Sequence, residues 1–308
     1  MSTTVYMDPT FDDDGRRSEL YSGNVLVYGR QRAARELAEF ARGLIEHAFG
    51  SIDPRTAQHE LSVEAFAEIL SVLKPEFIHH AESKRCVQAL LTELGCDPEK
   101  TYFDVPRLRS STSNGYLTSG IAYAWHPHRD TWYSAPACQI NWWLPVYELA
   151  SNNAMAFHPQ YFERGVANSS AEYNYYEWNR THRGGHVAQY TKSDPRPLPR
   201  ATEPIELEPQ LRVLVPVGGV MAFSGAQMHS SVPNDSGVTR YSIDFRTVHV
   251  DDARGHRGAP NVDSHCTGTT MRDYLRVTDL SAIPEDVIRL HDDGTGSRGE
   301  LQYRPASA

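Results

Sequence analysis

Cysteine is scarce in this chain of 308 residues: Cys86, Cys96, Cys138 and Cys266 are the whole supply. No C-x-x-C pair occurs, so neither a zinc knuckle nor a redox dithiol is expected. Long apolar runs are missing too, and none approaches the roughly 18 residues that mark a membrane span. The first residues, Met1 to Arg17, are acidic and lack the basic and apolar regions of a signal peptide. A soluble chain in a reducing, cytoplasmic setting is the expectation. Positive charge is in deficit: 30 Lys+Arg stand against 39 Asp+Glu, a formal net charge of −9. That balance disfavours nucleic acid or an anionic membrane surface as partner, because both are bound through Lys and Arg meeting phosphates. Internal repeats and a Pro/Gly/Ser linker are also lacking. A small molecule is the expected partner.

What is present falls into two textures. Asn24 to Tyr28 reads as a short strand. Residues 31–49 carry Leu37, Phe40, Ala41, Leu44, Ile45 and Ala48 at helical spacing, with Gly50 as the stop. Ser62 is placed to cap a second helix with the stripe Val63, Phe66, Ile69, Leu70 and Leu73, and Pro75 follows. A third helix runs up to Leu94, with Gly95 after it. Residues 1–22 are polar and read as loose. From Thr101 short β-rich runs alternate with turn clusters, at 101–108, 119–126, 137–147, 154–158, 211–217, 219–223 and 240–250. Many short strands point to a sandwich or barrel rather than a βαβ sheet, with the helices packed on its outer face. Residues 160–200 fit neither texture. They are dense in Tyr, Trp, Asn, His and Arg without a period, which reads as an ordered aromatic lid.

The chemistry concentrates around His128-Arg129-Asp130. On a strand, residues two apart share a face, so His128 and Asp130 are predicted to project together. A third ligand from a later strand completes a 2-His-1-carboxylate triad, which leaves open positions on the metal and suits Fe(II) oxygenases. His229 follows an apolar strand and a turn and fills that role. Arg240 comes 11 residues after His229, on a predicted strand whose one face carries Arg240, Ser242, Asp244 and Arg246. A buried Arg needs an anion, and beside an open-sided iron it suits a dicarboxylate.

With those residues in hand, the chain resembles the Fe(II)/2-oxoglutarate-dependent dioxygenases, and within them the phytanoyl-CoA dioxygenase-like group that includes ectoine hydroxylase. The resemblance implies that His128, Asp130 and His229 ligate Fe(II). It also implies that Arg240 binds the 2-oxoglutarate C5 carboxylate, with Ser231 helping to hold the co-substrate. Residues 139–146 (QINWWLPV) sit where the family has the strand after H-x-D. Residues 152–159 (NNAMAFHP) sit where it has an NG-x-L-x-x-x-PGSH turn and strand, and here the GSH ending is missing. The resemblance covers residues 100–250 well, the N-terminal helices loosely, and neither 160–200 nor the chain after 250. The fold it implies is mainly β with helical support (α+β): a double-stranded β-helix, or cupin-like jelly roll, with the N-terminal helices outside.

The ligands must converge, so one domain is expected over 1–308. Within it, 23–98 is helical support, 100–250 is the jelly-roll core with 160–200 as a lid insertion, and 251–308 is a C-terminal extension. The implied reaction consumes 2-oxoglutarate and O2 and oxidises a C–H bond of a small polar metabolite, as in specialised biosynthesis. Hydroxylation leads. Halogenases of the superfamily carry Gly or Ala in place of the carboxylate, and Asp130 is present here. Desaturation, oxidative cyclisation and a non-catalytic metabolite-binding jelly roll stand as alternatives. Gln139 and Asn141 share a strand face that points either to the co-substrate or outward. His126, Trp132, Tyr133, Arg180 and Arg183 are the candidate substrate contacts, with Arg109, Thr112 and Tyr116 weaker. Arg246 is read as structural or as part of an entrance, since six residues of strand put it some 20 Å from Arg240.

Overall fold

The computed structural model describes residues 3–119, 126–182 and 192–292. The expected strand at 119–126 therefore lies almost wholly outside the described residues.

The predicted helical stripes become buried faces. Helix α2 (Arg32–Phe49) buries Leu37, Ala41, Ile45 and Phe49 and ends at Gly50, whose φ of 63° favours glycine. Helix α3 (Val63–His79) starts on Ser62, whose hydroxyl accepts from Ala65 N at 3.2 Å. It does not stop before Pro75, which lies inside the helix. The stripe continues through Phe77, which is fully buried and stacks on Phe40, and this burial offsets a cost of about 3 kcal/mol for the proline. Helix α4 (Ala81–Glu93) follows and ends just before Gly95.

Residues 3–22 are not loose. Strand β1 (Val5–Met7) pairs parallel with β2 (Val25–Tyr28), and between them α1 (Asp13–Tyr21) is capped by Asp12, which accepts from Gly15 N at 2.8 Å. Its Arg16 and Arg17 are buried because they find acids, Arg17 meeting Asp252 at 2.7 Å. Paired charge, not apolar pattern, anchors this segment, and so the sequence conceals it.

The predicted run 101–108 is two strands, β3 (Thr101–Phe103) and β4 (Arg107–Ser111), divided at a proline, Pro106, that cannot donate to a ladder. They are followed by β5 (Ile140–Pro145), β6 (Met155–Phe157), a helix α5 (Tyr175–His182), β7 (Leu211–Val213), β8 (Val220–Ser224), β9 (His229–Ser231) and β10 (Arg240–His249). Helix α6 (Val250–Arg254), β11 (Leu275–Arg276) and α7 (Glu285–Ile288) complete the described elements. One sheet has the order β1-β2-β8-β5-β10-β3-β11, with β4 also pairing β10; a second has the order β7-β6-β9.

Alternation along the strands builds two cores. Leu144, Ala222, Ile243 and Phe245 face Leu37, Ile45, Phe66 and Leu70 of the helices. On the opposite face, Val25, Trp143, Met221 and Phe223 meet Met155, Phe157 and Val213 of the small sheet. Two β layers with helices on one outer face result, and among the described residues no barrel closes. None of the described helices is long and apolar enough to cross a membrane.

Candidate metal centre

His128 and Asp130 come together, but not as neighbours on one strand. His128 forms an isolated antiparallel bridge with His229, each backbone N–H donating to the other's carbonyl at 3.0 Å. Asp130 then opens a short 3-10 turn, residues 130–133, and its N–H is held by Gly225 O at 2.9 Å. The bridge places the two histidine rings 4.3 Å apart. Nδ1 of His128 bonds to the His126 carbonyl at 2.8 Å and Nδ1 of His229 to the Gln227 carbonyl at 2.9 Å. With Nδ1 committed as donor, Nε2 carries the lone pair on both rings. Asp130 Oδ1 stands 3.6 Å from Nε2 of His128 and 3.8 Å from Nε2 of His229. The three offered ligand atoms lie within 4.8 Å of one another, the one such group among the described residues. Burial and the adjacent His128 push the His229 imidazole down to about 4, which keeps it in the neutral, ligating form. Two imidazoles and a carboxylate on one side of a point suit a divalent first-row metal with positions left open.

The turn itself is clamped. Arg129, between the ligands, is buried and donates to Asp263 Oδ2 at 3.0 Å and to the carbonyls of Ala226 and Arg164 at 2.6 and 2.9 Å. Asp263 also accepts from Trp132 Nε1 at 2.7 Å and from Val166 N at 3.0 Å. Asp263→Ala strands the Arg129 charge. The expected loss is about 3–5 kcal/mol of stability, read by chemical denaturation of the metal-free protein; a change within experimental error would refute the clamp.

Arg240 lies in the same cavity. It is buried, donates to the carbonyls of Asn153 and Ala154 at 3.0 and 3.1 Å and to Ser231 Oγ at 3.3 Å, and sits over Trp143 at 5.7 Å. Its Nε–H has no partner, and among the described residues no carboxylate lies within salt-bridge distance of it. Burial pulls its guanidinium down to about 10, which leaves it charged at neutral pH. A buried cation with an unused N–H and no carboxylate in contact, Asp244 acting on it only from longer range, is arranged to receive an anion.

The cavity has a volume of about 450 Å³ and opens between the two sheets. Gln139 and Asn141 face inward: the Gln139 side-chain amide donates to Asp130 Oδ2 at 2.9 Å and to Asn141 Oδ1 at 2.8 Å. Arg246, expected as structural or as part of an entrance, lines the cavity, bonds Asp104 through Nε at 2.8 Å and brings Nη1 to 3.9 Å from Asp130 Oδ2. Tyr133 lines the cavity edge-on to His128. Trp132 does not: it is fully buried in a small cluster with Tyr161, Val166 and Met228, because its indole N–H is tied to Asp263. His126 is exposed, and its carbonyl accepts from Nδ1 of His128. Arg180 is exposed, pairs with Glu177 and does not line the cavity. Arg183 lies outside the described residues. Arg109 lines the cavity paired to Asp244 at 2.6 Å, while Thr112 and Tyr116 bond to the backbone at Leu117 and Leu61.

Of the described residues in the aromatic stretch 160–200, Tyr173, Tyr175, Trp178, Arg196 and Leu198 reach the cavity. Sequence reasoning missed Lys74, which reaches the cavity from α3 and whose amine burial pulls down to about 7. A lysine between the apolar positions of a helix carries no signal of this. It also missed Tyr274, whose hydroxyl donates to Gln139 Oε1 at 2.7 Å.

No family model matches the chain, and no curated protein matches it. Among solved structures it is similar to EvdO2 from Micromonospora carbonacea var. aurantiaca complexed with 2-oxoglutarate, at 13% identity over 78% of this chain and 92% of that one, TM-score 0.45. It is also similar to the non-heme alpha ketoglutarate dependent carbocyclase SnoK from nogalamycin biosynthesis, at 10% identity over 80% and 90%, TM-score 0.42. A third is the epimerase SnoN in complex with Fe3+, alpha ketoglutarate and nogalamycin RO, at 13% identity over 96% and 97%, TM-score 0.39. At TM-scores below 0.5 these likenesses carry no weight in the assignment, which rests on the chain's own residues.

Proposed function

We propose that the chain is an iron(II)- and 2-oxoglutarate-dependent oxygenase of the phytanoyl-CoA dioxygenase-like kind, built on a jelly roll and hydroxylating a small polar metabolite in the cytoplasm. The observation that carries this is the coincidence, in one cavity, of the His128–Asp130–His229 group with a buried Arg240 that lacks a counter-ion. Strand β9 links them. His229 and Ser231 stand two residues apart, roughly 7 Å, and Ser231 bonds Arg240, so the span suits a five-carbon dicarboxylate.

His128, Asp130 and His229 hold the metal from one side. When bound, iron(II) with 2-oxoglutarate and O2 supplies the oxidising chemistry, the co-substrate ending as succinate and CO2. Arg240 and Ser231 grip the far carboxylate and so orient the co-substrate. Tyr133, Tyr173 and Trp178 wall the cavity and exclude water from the reacting end. The charged and aromatic lining together favour a substrate with polar groups on a compact frame.

The test is succinate formation by Fe(II)-loaded protein given 2-oxoglutarate, O2 and a panel of small polar metabolites. The expected result is substrate-stimulated succinate with a product heavier by one oxygen. A product lighter by two hydrogens would instead indicate desaturation or cyclisation. Folded, metal-loaded protein that makes no succinate, coupled or uncoupled, would overturn the enzyme reading.

A further inference from the structure

Asp130 presents its two oxygens to different surroundings. Oδ1 faces the two imidazoles, while Oδ2 is turned away and accepts from Gln139 Nε2 at 2.9 Å. The second Gln139 N–H goes to Asn141 Oδ1 at 2.8 Å, and Gln139 Oε1 accepts from the Tyr274 hydroxyl at 2.7 Å. Both N–H groups and the carbonyl of that amide are therefore engaged, and their partners favour one orientation. Turned over, its carbonyl would meet the Asp130 carboxylate, acceptor against acceptor, and the tyrosine hydroxyl would face an NH2. Gln139 and Tyr274 are each 1% exposed, so bulk water has little access to these bonds. Arg246 adds positive charge on the Oδ2 side, with Nη1 at 3.9 Å.

We propose that Gln139 and Tyr274 are positioning residues that hold Asp130 as a one-oxygen ligand, Tyr274 being one contribution of the C-terminal segment to this site beside the Asp263 clamp. The proposal rests on the metal-centre reading above. A carboxylate free to rotate presents both oxygens to a metal and chelates it. A carboxylate whose outer oxygen is hydrogen-bonded presents one. Three protein ligands on a six-coordinate metal leave three positions: two for a chelating 2-oxo acid and one for O2. A chelating Asp130 would take one of those three. Tyr274 is pinned for the task, because the adjoining Leu275 pairs with Phe103 as β11 adds to β3. The residues after 250, which lie outside the family resemblance, thus meet the metal-ligand carboxylate through the Gln139 amide as well as clamping its turn through Asp263.

The test compares the wild type with Gln139→Leu and Tyr274→Phe, each loaded with cobalt(II) and given neither O2 nor substrate. Tyr274→Phe keeps the buried ring and so guards against loss of fold in Gln139→Leu. Both variants are expected to change the cobalt(II) ligand-field spectrum. 2-Oxoglutarate affinity is expected to fall about tenfold or more in Gln139→Leu, and in the same direction by less in Tyr274→Phe. Folded variants with the wild-type spectrum and wild-type 2-oxoglutarate affinity would overturn the positioning role and leave the metal centre standing. Cobalt(II) binding that survives Asp130→Ala unchanged would overturn the metal centre itself, and this proposal with it.

Discussion

Asp130→Ala is expected to abolish turnover and to weaken divalent metal binding by about a hundredfold or more. Losing a group that merely orients a metal ligand costs about 10–100-fold, so loss of the ligand itself belongs at or beyond the upper end. The charge argument points the same way. His128 and His229 offer two neutral nitrogens, and Asp130 is the anion among the three offered ligands. The substitution also releases Gln139, whose amide loses the carboxylate it donates to. Metal titration of the purified variant, alongside succinate formation, checks the outcome. Wild-type affinity in a folded variant would show that the triad is not the metal site.

Arg240→Met is expected to separate binding from stability. Removing one partner of a buried, hydrogen-bonded charge pair costs about 2–5 kcal/mol, so 2-oxoglutarate affinity should fall at least roughly thirtyfold. The stability of the co-substrate-free protein should change much less, relief of the buried charge offsetting the bonds lost to the Asn153 and Ala154 carbonyls. Arg240 is there a buried cation without a counter-ion, and an apolar side chain of similar length ends that cost. 2-Oxoglutarate should raise the melting temperature of the metal-loaded wild type and leave that of the variant nearly unmoved. A large loss of stability in the variant, with co-substrate affinity intact, would make Arg240 a structural residue.

Much of this was legible in the sequence where a period or a spacing carries it. The helical stripes of α2 and α3, the strands β5, β6, β8 and β10, and the alternation Arg240, Ser242, Asp244, Arg246 all follow from which positions are apolar. The three ligands were legible as residue types at telling distances, although the backbone joining them was misread. A bridge across to His229 and a 3-10 turn do the work assigned to one strand face. What stayed hidden depends on pairing between distant segments. Arg17 looks like a surface charge until Asp252 is placed beside it. Trp132 reads as a wall until Asp263 takes its indole N–H. Pro75 reads as a helix stop because the local rule omits the burial of Phe77. Gln139 was found as a polar residue on an inward face. Its part toward Asp130 depends on Tyr274, 135 residues away in sequence, and no local pattern records such a partner.

The central claim is that one cavity holds a divalent iron and, through Arg240, a chelating 2-oxo diacid. Its most direct test is an anaerobic titration of the Fe(II)-loaded protein with 2-oxoglutarate, followed by visible absorption. A saturable metal-to-ligand charge-transfer band is expected at one equivalent of iron, absent in Asp130→Ala and reached only at much higher 2-oxoglutarate in Arg240→Met. A folded, iron-loaded wild type that shows no band and no saturable binding would contradict it.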